Sequence, residues 1–189
     1  MKSAHPYTRR ALWLYIPVWL CFAYLLVQIL NFRAGAPQNI VISGMYFIEF
    51  GVHEVSHLLV GFLPSIFVAA AGSIGELTFP ILIVTAALKA RSYFAVIFGA
   101  LWVTLAMNSV GRYMADARTQ LIPLMGPSDQ PIHDWFYVFN QLGWLQYDTI
   151  IGNIVRWIGD GIGIVALCGG VWLIVTIATT NRAPAVLKR

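Results

Sequence analysis

Two histidines and a glutamate stand at a spacing that suits metal-assisted hydrolysis. The chain reads His53-Glu54-Val55-Ser56-His57 inside an otherwise apolar stretch. Side chains four residues apart project from one face of an α-helix, so His53 and His57 can bind one Zn²⁺ ion together. Glu54 lies beside them as a candidate general base. The pattern predicts a zinc site, and the simpler structural alternative is two interior histidines that bond neighbouring helices.

A catalytic zinc site needs a third protein ligand, commonly His, Asp or Glu from a distant element. The longest polar stretch, residues 115–134, offers Asp116, His133 and Asp134, and we expect it to form an active-site loop. The sequence leaves the choice among the three open, with a slight preference for Asp116. For His133 and Asp134 the alternative is that they only cap the helix that follows.

Three further polar groups interrupt apolar stretches, where ionisable side chains are costly and usually functional. Glu49 stands one helical turn before His53, so it could orient that imidazole, and an interior hydrogen-bonding role suits it equally well. Glu76 and Asn108 are expected to line the same cavity. Their expected role is to hold substrate backbone or a water molecule.

The composition is that of a polytopic membrane protein. Of 189 residues, 59% are hydrophobic and 11% are charged, whereas soluble domains have roughly 45–50% apolar and 25% charged residues. We therefore expect one integral-membrane domain over residues 1–189, surrounded by the lipid bilayer. The net charge of +4 comes from basic residues near the ends of apolar runs, where they anchor spans. No nucleic-acid partner is expected.

The apolar runs predict an all-α bundle of five to six transmembrane helices. The expected spans are residues 11–30, 40–62, 65–90, 93–114 and 161–178. Residues 147–160 look helical but more polar, and 132–145 form an expected amphipathic interfacial helix. Gly72 and Pro80 interrupt the third run, so a straight helix and a re-entrant one are both compatible with it. Basic residues divide equally between the two sides, so the orientation stays open.

The histidine pattern within a membrane span resembles the catalytic helix of intramembrane zinc metalloproteases of the site-2 protease type. The resemblance covers His53, Glu54 and His57. It implies that the two histidines bind zinc, that a distant aspartate completes the site and that the glutamate activates water. The Leu-Asp-Gly motif that supplies this aspartate in that family is absent from the sequence, so the resemblance does not identify the third ligand.

A second resemblance, to a group of small bacterial membrane proteins, covers most of residues 45–160. The shared landmarks are the His-Glu-x-x-His span, Gly72 and Ser73 with Pro80, Tyr113 with Asp116, Ala117 and Arg118, and the sequence His133-Asp134-Trp135. This resemblance implies a common site and a location in the bacterial inner membrane. It names no substrate.

The expected function is that of a membrane-embedded zinc hydrolase, foremost a peptidase that acts on peptides or membrane proteins. Two alternatives stay open. One is a non-catalytic subunit of a larger membrane complex, whose histidines ligate haem, a pigment or no metal at all. The other is a hydrolase that applies the same metal chemistry to lipids.

Overall fold

The computed structural model describes residues 12–31, 39–124 and 132–180. Within these ranges every regular element is helical, which confirms the all-α prediction. The helices are α1 (Leu12–Leu30), α2 (Ile40–Leu59), α3 (Ser65–Lys89), α4 (Tyr93–Ala115), α5 (Asp134–Leu142) and α6 (Asp148–Thr180), with a short 3-10 helix at Leu145–Tyr147. Residues 125–131 of the predicted active-site loop lie outside the described residues.

Four helical segments among the described residues are long and apolar enough to cross a membrane. They are α1, α3, α4 and the segment Leu145–Thr179, which contains most of α6. The helix α2 is not among them, because two glutamates and two histidines lower its mean hydropathy. Membrane helices are thus supported, and the predicted number of five to six spans is not confirmed.

Two helices are more continuous than the sequence suggested. The helix α3 passes through Gly72 and Pro80 without a break, so the re-entrant alternative is not confirmed. The helix α6 joins the expected polar helix and the last span into one helix of 33 residues. Its internal carboxylate is accommodated by a neighbour, since the Nδ2 of Asn108 donates to Oδ1 of Asp160 at 2.8 Å.

The helix α4 forms the centre of the bundle, between α3 and α6. Small residues bring α4 and α6 into backbone contact: a Cβ added to Gly111 would lie 2.5 Å from the carbonyl oxygen of Gly152, and one added to Gly152 would lie 2.7 Å from the Ala115 amide nitrogen. Close helix approach of this kind is typical of membrane helices. It fixes the end of α4, from which the polar loop departs.

The short helix α5 lies where α2 ends and α3 begins. It is shorter than the predicted amphipathic helix, and Gly143, with φ of 68°, ends it in the left-handed conformation. Val138 and Phe139, on the apolar side of this helix, are buried. The indole of Trp135 donates to Oγ of Ser73 on α3 at 2.9 Å. These contacts hold the first residue of α5, Asp134, against α2 and α3.

Candidate metal centre

The potential metal ligands that the described residues bring together are His53, His57 and Asp134. Oδ2 of Asp134 lies 3.1 Å from Nε2 of His53 and 3.3 Å from Nε2 of His57. In a tetrahedral zinc site with bonds of about 2.0–2.1 Å, two ligand atoms are roughly 3.3 Å apart. The carboxylate oxygen therefore stands at ligand-to-ligand distance from both imidazoles.

The other ring nitrogen of each histidine has an acceptor of its own. Nδ1 of His57 lies 2.8 Å from the carbonyl oxygen of Val68, and Nδ1 of His53 lies 3.2 Å from Oε2 of Glu76. A carbonyl oxygen only accepts, so Nδ1 of His57 carries a hydrogen and donates it to Val68, and a hydrogen on Nδ1 of His53 would be donated to Glu76 in the same way. In the neutral imidazoles both Nε2 atoms then direct lone pairs towards Asp134.

Three electron-rich atoms that face one another require positive charge between them. Protons on both Nε2 atoms would provide it, and so would a divalent cation. The cation suits the donor set, since two imidazoles and one carboxylate are the ligands of many catalytic zinc sites, which leave a fourth position open. Metal-binding histidines usually donate a hydrogen bond from the other ring nitrogen to an acceptor, which fixes the tautomer and makes the ligating nitrogen more basic. The acceptors at both Nδ1 atoms agree with this pattern.

Asp134 is held in place by Tyr113, at the end of α4. The backbone N–H of Asp134 donates to the Tyr113 hydroxyl at 3.1 Å, and this hydroxyl lies 3.4 Å from Oδ2 of Asp134. Burial alone would raise the pKa of Asp134, but with hydrogens on the Nε2 atoms His53 and His57 donate to its carboxylate, which outweighs burial and lowers that pKa. Asp134 is therefore ionised at neutral pH, which is the form that binds cations.

The other two predicted ligands, Asp116 and His133, face each other instead of His53 and His57. Nε2 of His133 lies 3.6 Å from Oδ2 of Asp116. Nδ1 of His133 accepts from the N–H of Phe136, so His133 caps α5 as the structural alternative anticipated. Burial lowers the pKa of His133, in agreement with a neutral ring that can accept this bond.

Asp116 organises the start of the polar loop. Its carboxylate accepts from the N–H groups of Leu121 and Ile122, both at 2.9 Å, and from the hydroxyl of Thr119. Burial opposes the charge, but these bonds outweigh it and lower the pKa of Asp116. Together with His133, Asp116 joins the two ends of the loop just before Asp134.

Glu54 is half-buried on α2, about a third of a turn from His53. It is the chain neighbour of His53 on this helix, the position that the sequence pattern gives to a candidate general base.

The remaining polar predictions have mixed outcomes. Glu76 contacts His53, as a residue lining the same cavity should. Glu49 is fully buried, yet its carboxylate oxygens have no hydrogen-bond partner among the described residues, although the Trp102 indole is near. It is therefore Glu76 that orients the imidazole. Asn108 faces α6 and bonds to Asp160.

Sequence reasoning gave no role to Tyr113, which appeared only as a landmark of a resemblance. Its ring lies 4.1 Å from that of His133 and 6.0 Å from that of His53, between centroids. The available signal was the position of Tyr113 one helical turn before Asp116, at the start of the polar loop.

Gly72 allows α3 to approach His53. A Cβ added to Gly72 would lie 2.6 Å from Cδ2 and Cε1 of His53, and closer still to Nε2. Gly75, one turn later, makes the same kind of approach to Ser56. The absence of side chains at these two positions sets the distance between α2 and α3 at the metal centre.

Replacing Gly72 by alanine is expected to displace the His53 imidazole and to weaken zinc binding by at least about 10-fold, the lower range for lost support of a ligand. Zinc affinity of the purified protein measures this effect. Gly51→Ala is the matched control, because a Cβ at Gly51 on α2 meets nothing within 4 Å. Equal zinc affinities for the two variants would contradict the prediction.

An open cleft of about 390 Å³ adjoins the three converging side chains, with His57 and Asp134 in its lining. It lies between the turn from α2 to α3 and the start of α5. The rest of the lining is mostly small or apolar and includes Gly61, Leu63, Val68, Ala69, Ile132 and Tyr137. A substrate group could therefore reach the ligand atoms through this cleft.

The chain matches no protein-family model, no curated protein and no solved structure. A fold class alone does not determine an activity, so function has to be inferred from the geometry of the site.

Proposed function

We propose that the protein is a membrane-embedded, zinc-dependent hydrolase, foremost a peptidase. The observation that supports this most is the convergence of two Nε2 atoms and one carboxylate oxygen, from His53, His57 and Asp134. Acceptors at both Nδ1 atoms and a glutamate beside the pair complete the parts that such a hydrolase needs.

In this proposal the side chains divide the work of hydrolysis. His53, His57 and Asp134 would hold a zinc ion, which would supply Lewis acidity towards a carbonyl group and would lower the pKa of a zinc-bound water towards neutrality. Glu54 accepts the proton of the attacking water and delivers it to the leaving amine as the C–N bond breaks. The Tyr113 hydroxyl holds Asp134 by accepting from the backbone N–H of Asp134. Glu76 orients the imidazole of His53, and the Val68 carbonyl orients that of His57.

The lining of the cleft favours a peptide over a phospholipid as substrate. A phospholipid carries an anionic phosphate close to its ester bonds, and Arg and Lys side chains are favoured partners of phosphate. Among the residues that the structure describes, the cleft lining includes neither Lys nor Arg. Arg118 of the polar loop is paired, with Nη2 2.7 Å from Oδ1 of the buried Asp148.

The arrangement of the histidines also argues against a haem subunit. A haem iron with two histidine ligands needs them on opposite sides of a flat ring. Here the imidazole centroids are 4.8 Å apart, and both Nε2 atoms meet the same carboxylate oxygen. A single ion fits between these atoms, whereas a porphyrin does not.

The decisive experiment measures metal and activity on the detergent-solubilised wild-type protein. We expect about one zinc per chain, hydrolysis of a fluorogenic peptide library, loss of that activity with 1,10-phenanthroline and recovery on adding zinc. Protein that stays metal-free after incubation with zinc, or that carries a visible chromophore, would overturn the proposal in favour of an accessory subunit.

A further inference from the structure

The cleft beside the metal centre is continuous with the ligand atoms. His57 and Asp134 line it, and so does Val68, whose carbonyl oxygen accepts from His57. A group bound in the cleft therefore lies directly beside an imidazole of the site. The part of a substrate next to the bond that is hydrolysed would therefore occupy this cleft.

The lining offers mainly apolar contacts and, among the described residues, no cationic side chain apart from His57. Its other polar side chains there are Asp134, the hydroxyl of Ser65 and the phenol of Tyr137. Because Gly61 and Ala69 are small, the cleft has room for a substrate group, and Leu63 and Ile132 form apolar walls. Burial of apolar surface is thus the main favourable interaction between this lining and a bound group.

Two apolar side chains next to lining residues or in the lining itself are strongly exposed. Phe62, in the turn from α2 to α3, is 83% exposed, and Ile132, just before α5, is 71% exposed. Exposed apolar side chains next to a pocket mark a surface for apolar partners or lipid. These two side chains extend the apolar surface that an apolar occupant would contact.

We propose that this cleft binds a neutral, apolar side chain of a peptide substrate, adjacent to the bond that is hydrolysed. The inference rests on the proposed zinc hydrolase function, because it takes the cluster of His53, His57 and Asp134 as the reaction centre. It adds the substrate class that this centre selects: peptides with an apolar residue next to the cleaved bond.

Hydroxamates provide the probes, since the hydroxamate group binds zinc and the attached group samples the cleft. Binding to the zinc-loaded, solubilised protein is measured by calorimetry for acetohydroxamate, 4-methylpentanoyl hydroxamate and succinic monohydroxamate. We expect the branched apolar probe to bind at least about 10-fold more tightly than acetohydroxamate, because it buries a leucine-sized group. The succinic probe, which carries a carboxylate, is expected to show no such gain.

Filling the cleft tests its location. In Ala69→Leu the advantage of the branched probe is expected to disappear while acetohydroxamate binds as before. Gly61→Leu is a second variant, outside the packed core, where a Cβ would meet only carbonyl oxygens at 3.6 Å. Ala86→Leu is the matched control, since Ala86 is exposed on α3 about 25 Å from Ala69 along the helix.

The outcomes separate the inference from the function on which it rests. Protein without zinc overturns the proposed function. Zinc-containing protein that binds the three probes equally, or whose preference survives both Ala69→Leu and Gly61→Leu, overturns the inference alone. A dodecanoyl hydroxamate that gains a further 10-fold or so over the branched probe, and loses this gain in Ala69→Leu, would assign the cleft to a lipid acyl chain and also overturn it.

Discussion

Asp134→Asn is expected to lower zinc affinity by more than about 100-fold. The change removes the only charged member of the converging group while keeping nearly the same shape, and the loss should exceed the roughly 10–100-fold cost of removing a ligand's supporting partner. The variant keeps the backbone N–H that donates to Tyr113. Competition with a fluorescent zinc chelator measures the affinity.

Asp116→Asn is the matched control, because it neutralises the buried carboxylate at the opposite end of the polar loop from Asp134. An asparagine at this position retains a carbonyl oxygen that can accept from the N–H of Leu121 or Ile122. We expect its zinc affinity to stay near that of the wild type. If Asp116→Asn loses zinc and Asp134→Asn keeps it, Asp116 is the third ligand and the described arrangement is not the metal-bound one.

Glu54→Gln is expected to keep zinc and to lose about 10²–10⁴-fold in the rate of peptide hydrolysis. The amide is similar in size to the carboxylate but cannot take a proton from water, and that range is typical for removal of a general base. Two measurements on one preparation are needed, zinc content and the initial rate on the peptide library. The combination of retained metal and lost activity distinguishes a general base from a metal ligand.

Glu49→Gln is the corresponding control on the same helix. Glu49 is buried one turn before His53, but its oxygens contact none of the three ligands. We expect nearly unchanged hydrolysis, since the amide is isosteric with a carboxyl group. Equal rates for Glu54→Gln and the wild type would remove Glu54 from the mechanism, and a large loss in Glu49→Gln would place the proton acceptor deeper in the bundle.

The part of the site on α2 could be predicted because it depends only on helical periodicity. His53 and His57 lie on one face in any α-helix, so their meeting follows from the spacing of four residues. The third ligand depends on how the polar loop folds back, and sequence spacing carries no information on that. Asp116, His133 and Asp134 were therefore all candidates, with a slight preference for Asp116, whereas the structure brings Asp134 to the two histidines.

The helix boundaries differ from prediction for a related reason. Hydropathy treats each residue alone, whereas α6 continues through Asp160 because Asn108 on α4 satisfies this carboxylate. Likewise α3 continues past Gly72 without a break. The lack of a side chain at Gly72 makes room for the His53 imidazole. In both places the residue that predicts an interruption of the helix from sequence makes a contact with a neighbouring helix instead.

The three proposed metal ligands come from elements that are far apart in the chain, α2 and the first residue of α5. With zinc bound, the ion acts as a cross-link that closes the intervening chain, and it stabilises the folded state in proportion to the logarithm of free zinc above the dissociation constant. A chain inserted into the membrane without zinc lacks that bond between its two halves. Zinc supply would then set how long a newly made chain survives proteolysis, as well as whether it can react.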